Sequence, residues 1–155
     1  MTPRKEIFIK AKEALMTIPQ LELVDFNRKQ FESEDFPSLF VAALISIPNI
    51  EYETMTEEGQ TGTATVTVTL FCRDGWMDQH NGTADPDHGL MEIDLLDAIA
   101  EKLQFLAGTQ FSPLQQVNDA EETVDMGGMF AYAQTFDTRI RRKLGRRYTN
   151  RTITH

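Results

Sequence analysis

The stretch from Thr61 to Cys72, TGTATVTVTLFC, constrains the fold of this chain more than any other. Thr61, Thr63, Thr65, Thr67 and Thr69 alternate with Ala64, Val66, Val68, Leu70 and Cys72 in the positions between. A strand turns successive side chains to opposite faces, so this pattern separates a hydroxyl face from an apolar one. Helical spacing would mix the two, and β-branched side chains are stiff in the way a pleated surface favours. The pattern predicts a long, half-buried strand near the centre of an antiparallel sheet. Its hydroxyl face is either an ordinary solvent-facing surface or one turned toward a partner or a channel.

Elements on either side fill out an α+β order. Thr2 before Pro3 is a helix start, a hydroxyl cap followed by a proline where no amide is missed. Ile7, Phe8, Ala11, Ala14, Leu15 and Ile18 share one helical face, and Pro19 ends the element. Ile9 and Met16 form a small second apolar patch, either singly exposed residues or a subunit contact. A short strand is expected over Leu21–Phe26, and a loop from Asn27 to Pro37. A strand covered on both faces follows over Ser38–Ile47, ended by Pro48. Ile50 to Gln60 reads as a polar loop or exposed hairpin end. After Cys72 a long loop of turn formers precedes a helix from Pro86, capped by Asp85, to about Ala107, with Gly108 as its stop. That helix is expected to bury Ile93, Leu96, Ile99, Ala100, Leu103 and Leu106 and to turn Asp94, Asp97 and Glu101 outward. Two closing strands follow, Leu114–Glu121 and Met129–Ile140, with Gly127 and Gly128 between them. The expected fold is a mostly antiparallel mixed sheet of four to five strands with both helices on one face, in the order α-β-β-β-α-β-β.

At 155 residues the chain fits one domain large enough to bury a core. We expect that domain to span 1–140, with 141–155 a flexible basic arm. No apolar run approaches the length of a membrane span, and the N-terminus does not read as a signal peptide. Cys72 is the only cysteine, so no disulfide or cysteine zinc site is available and a reducing compartment is expected. The glycosylation-like matches at Asn81 and Asn150 then carry no meaning. All 24 acidic residues fall before residue 138, where eight basic residues leave a net charge of −16. The other seven of the 15 basic residues lie between Arg139 and Arg151. An acidic body resists phosphate, and a basic tail on it suggests attachment to something acidic, another copy included.

Catalytic residue types gather only between Arg73 and His88, a loop that also holds Trp76. Asp74, Asp78, His80, Asp85, Asp87 and His88 match no metal-ligand spacing, and Asp85 and Asp87 suit a helix N-terminus as cap and first-turn charge. A metal-dependent enzyme would have to use Asp78, His80, Asp87 and His88. Nucleotide, hydrolase and metalloprotease motifs do not occur, and Cys72 falls on the buried face of its strand. No cofactor is implied, and the chain reads as a non-enzyme. The segment RRKLGRRYTNRTITH from Arg141 admits three readings: a solvated end, a nucleic-acid-binding arm with Tyr148 to stack a base, or an arm of Arg141, Arg142, Lys143, Arg146 and Arg147 docked on Asp94, Asp97 and Glu101 of a neighbouring copy.

The order of these elements, from the opening amphipathic helix through Ser38–Ile47, Thr61–Cys72 and Pro86–Ala107 to the closing strands, resembles the phage tail terminators, also called tail-completion or minor tail proteins. The resemblance lies in architecture over most of the chain and in no short motif. It implies an α+β subunit that assembles in the bacterial cytoplasm into a hexameric ring at the head-proximal end of the tail tube. Such a ring stops tube polymerisation, meets a head-completion protein and lets DNA pass without sequence-specific binding. It implies no catalytic residue and no membrane partner. A head-tail neck or connector protein of similar fold is the alternative, with a small nucleic-acid-binding module behind it.

Overall fold

The computed structural model describes residues 1–30, 41–56, 58–72, 80, 84–123 and 129–143, the side chains at 54 and 55 excepted. Its elements are α1 (Pro3–Leu15), β1 (Leu23–Phe26), β2 (Val41–Met55), β3 (Gly59–Cys72), α2 (Met91–Leu103), β4 (Gln115–Glu122) and β5 (Phe130–Lys143). They form one five-stranded sheet in the order β1-β2-β3-β5-β4. β1 lies parallel to β2, and the other three pairings are antiparallel.

The threonine strand is the centre of this sheet. β3 is paired along its length with β2 on one side and with β5 on the other. Ala64, Val66, Val68, Leu70 and Cys72 join Val41, Ala43 and Ile45 of β2 and Phe136 and Ile140 of β5 in one core. Ile7, Ala11 and Leu15 of α1 and Leu95, Ile99 and Leu103 of α2 close the same cluster, so both helices cover one sheet face. The buried Gln134 of β5 donates through Nε2 to the Leu96 carbonyl at 2.9 Å and ties α2 to the sheet. The Oε1 of the same amide is buried and accepts no hydrogen bond among the described residues, so the Leu96 tie is kept at a desolvation cost. Gly62 is needed for close approach: a Cβ at this position would strike the Glu51 carbonyl oxygen of β2.

α1 begins as its sequence predicts, with Thr2 Oγ1 accepting from the Lys5 N–H at 3.3 Å and Pro3 in the first turn. Four other boundaries differ from expectation. β2 does not stop at Pro48 but continues to Met55, so of the two readings of the segment from Ile50, polar loop or exposed hairpin end, the structure has the hairpin end. A register shift between Ser46 and Asn49 accommodates the proline, which lacks a ladder donor and is tolerated at a bulge. α2 starts at Met91 because Gly89 holds φ 78 and separates the turn at Pro86 from the helix. It ends at Leu103, before Gly108, because Gln104 turns extended at ψ 126, and Phe105 then takes the left-handed conformation at φ 66. Asp85 therefore caps no helix; its Oδ1 accepts from the Asp87 N–H at 2.9 Å within the preceding turn. The helix is also rotated from expectation: Leu95 is buried, and Ile93 is 50% exposed. Finally, β5 runs past Ile140, so Arg141, Arg142 and Lys143 are strand residues paired with Thr61, Gln60 and Gly59.

Candidate assembly surface

The sheet face away from the helices has two halves. Near Cys72 it is apolar, with Ala42, Leu44 and Met129 packed against Leu23 and Phe71. Toward the β2–β3 turn it becomes polar. There Thr63, Thr65 and Thr67 stand beside Arg139, Asp137 and Thr135 of β5. Glu53 accepts two hydrogen bonds from the Arg139 guanidinium, at 2.8 and 3.2 Å, and a third from the Thr63 hydroxyl at 3.3 Å. The guanidinium and these hydrogen bonds hold the Glu53 carboxyl below its ordinary range. Thr65 donates to Asp137 at 3.5 Å.

Where β3 begins and β5 ends, a groove of about 890 Å³ opens between Thr56, Gln60, Gln110, Arg141, Arg142 and Lys143. Arg142 donates through Nη2 to the buried Gln60 Oε1 at 2.7 Å, and its guanidinium lies 4.9 Å from the Tyr52 ring centre. Cation–π stacking of this kind keeps the guanidinium planar against the sheet. Far along the chain, Glu6 of α1 fixes the groove's other wall. Its carboxylate accepts from the Thr109 hydroxyl at 2.6 Å and the Gln110 N–H at 2.8 Å. Burial alone would push this carboxyl up, but those donors and the nearby Lys10 outweigh it and hold it low. Gln110 in turn accepts from the Arg141 N–H at 2.8 Å, so α1, the turn after α2 and the end of β5 are linked in series. Nothing in the sequence advertised Glu6, because the pairing spans a hundred residues.

On α2, Asp94, Asp97 and Glu101 are exposed as expected. Asp97 and Glu101 border a shallow groove of about 470 Å³ with Ala100, Gln104 and Gln116, which places the acidic stripe on the flank facing β4. Among the described residues none of the three forms an ion pair; the two salt bridges there are Arg28–Asp25 and Arg139–Glu53. On α1, Ile9 is half-buried and Met16 is 64% exposed. Arg146, Arg147 and Trp76 lie outside the described residues, as do Asp74 and Asp78. His80 is exposed, with Nδ1 2.6 Å from the His88 carbonyl oxygen. Among the described residues no three His, Cys, Asp or Glu side chains converge to hold a metal ion. Cys72 is buried, and burial, then the charge of Glu92, push its thiol up to about 12. No described helix is long and apolar enough to cross a membrane.

Neither a protein-family model nor a curated protein sequence matches the chain. Solved structures do. One chain of a particle described as "Virion of native gene transfer agent (GTA) particle" matches with a TM-score of 0.55, covering 86% of this chain and 89% of that one. At 9% identity the likeness establishes a shared fold and transfers no residue.

Proposed function

We propose that this protein is a non-enzymatic structural subunit of a phage-like virion, acting as a tail terminator. It forms a ring of six copies at the head-proximal end of the tail tube, stops tube growth, meets a head-completion protein and lets DNA through. The observation that carries this reading is the fold shared, over nearly the whole of both chains, with a component of a gene transfer agent particle. Three features of the molecule support it. The two sheet flanks differ from each other, as head-to-tail closure requires. The half of the hydroxyl face near the β2–β3 turn presents threonines beside the Glu53–Arg139 pair, a polar surface open to a partner, with Arg141 and Lys143 at the next alternate positions of β5. The groove formed by Arg141, Arg142 and Lys143 offers a compact basic contact for an acidic partner surface.

Light scattering after size exclusion, over a concentration series, with negative-stain images of the heaviest species, tests the ring. The expected result is a mass near six copies and closed rings. A two-fold dimer, an open polymer, or a monomer at every concentration and salt would reject it. Co-sedimentation with purified tail tubes then separates a terminator from a neck or connector subunit, which would leave the tubes unbound.

A further inference from the structure

The sheet order distributes charge in a way that the linear sequence hides. Six of the eight basic residues before residue 139 (Arg4, Lys5, Lys10, Lys12, Arg28 and Lys29) belong to α1 or to the end of β1, at one flank of the sheet. Within that segment Glu6 is held by Thr109 and Gln110, and Asp25 pairs with Arg28. At the opposite flank, residues 84–123 hold α2 and β4 and contain nine acidic residues against the single Lys102. β1 and β4 lie at opposite ends of the strand order, although α1 and α2 touch each other over the shared sheet face.

Each flank also carries a helix stripe of mixed character. On α1, Lys5, Ile9, Lys12 and Met16 recur at spacings of four, three and four, opposite the buried Ile7, Ala11 and Leu15. On α2, Ile93, Asp97 and Glu101 follow one another at spacings of four, with Asp94 beside them. Phe105 stands just past their end. Ile93 is 50% exposed and Phe105 65%, and Phe105 holds a left-handed backbone that is an outlier for a bulky residue. Such strain, together with an aromatic ring left in solvent, marks a surface shaped for contact. Among the described residues, Lys5, Lys12, Asp97 and Glu101 have no ion-pair partner.

We infer that neighbouring copies meet flank to flank, the α1 stripe Lys5–Ile9–Lys12–Met16 of one copy against the α2 stripe Ile93–Asp97–Glu101 and Phe105 of the next. The inference rests on the ring reading and deepens it by assigning the subunit interface. The two stripes are complementary in both terms that make an interface, opposite charge and apolar anchors. Because the surfaces are different, the contact is heterologous and propagates in one direction until it closes.

A pair of charge reversals tests this. One variant carries Asp97→Lys and Glu101→Lys, the other Lys5→Glu and Lys12→Glu; all four side chains lie outside the core. Alone, each variant places like charges against like, and the concentration needed for assembly should rise at least about tenfold. Mixed in equal amounts, the two can pair only by alternation, so assembly should return with equal numbers of each. Circular dichroism melts verify that both variants fold. Should either fail to fold, the neutral pair Asp97→Asn and Glu101→Gln takes its place, and it should weaken assembly and flatten its salt dependence. If the wild type assembles and these variants assemble as it does, or if the mixture fails to restore assembly, the assigned interface is wrong and the ring stands. A wild type that is monomeric under every condition overturns the ring itself.

Discussion

On the helix side of β3, Ala64, Val66, Val68 and Leu70 are at most 1% exposed beneath α1 and α2. On the other side, Thr61, Thr63, Thr65 and Thr67 are only half-buried; Glu53 accepts from Arg139 and from Thr63, and Asp137 accepts from Thr65. The same backbone therefore carries a face that holds the molecule together and a face that is free to present chemistry. The contrast explains how such a strand tolerates so many hydroxyls: all but the buried Thr69 lie where water or a partner can satisfy them, and the apolar positions supply most of the burial.

The contrast breaks most readily on the helix side. Phe136→Ala empties a fully buried site in the main core and should cost about 3–5 kcal/mol in a urea or thermal melt. On the hydroxyl face, Thr67→Val keeps shape and removes a hydroxyl that bonds to no other described residue; a change within about 0.5 kcal/mol either way is expected. Comparable losses from the two substitutions would show that the two faces carry equal weight and would sink the division drawn here.

Between these extremes lies Glu6→Gln. It keeps the shape of the side chain and removes the charge that accepts from Thr109 and Gln110, for a loss of roughly 1–3 kcal/mol at neutral pH. The carboxyl is held below its ordinary value of 4.5, so the folded state binds its proton less readily than the unfolded chain. Its stabilisation is complete above that value and fades as pH falls through the lowered one. The variant should therefore lose less stability than the wild type on acidification, measured as the shift in melting temperature with pH below 4.5.

How far the sequence revealed this structure depended on whether the deciding contact was local. β3 could be placed almost to the residue because its alternation is a property of neighbours. α1 was equally clear, since Thr2 and Pro3 sit beside the turn they start. β2 was misjudged past Pro48, because only pairing with β3 decides whether a proline falls in a bulge or ends a strand. The start of α2 was misplaced for a related reason: Asp85 and Pro86 have the composition of a helix start, and the backbone of Gly89 interrupts it. The basic flank escaped notice altogether. Its lysines are spread over a segment whose net charge is unremarkable, and only the sheet order sets them opposite α2. The candidate surface was thus half legible: Asp94, Asp97 and Glu101 were read correctly as outward and Ile9 and Met16 as a second apolar patch, while the lysines beside that patch were passed over.

The central place of β3 also fixes the order in which the chain can be completed. Its pairing with β2 is closed by a short turn, in which the Thr56 N–H donates to the Gly59 carbonyl at 2.8 Å, and costs little chain entropy. Its other edge waits for β5, which follows α2 and β4 in the chain. During synthesis that edge is an open template for pairing with a strand from another nascent chain, the hazard that attends late-closing sheets. The threonines that alternate along it lower the gain from such mispairing, since one face of any wrong partner would be set against hydroxyls. A substitution that makes this face apolar should therefore show itself first as poor yield of soluble protein, before any change in the folded state is seen.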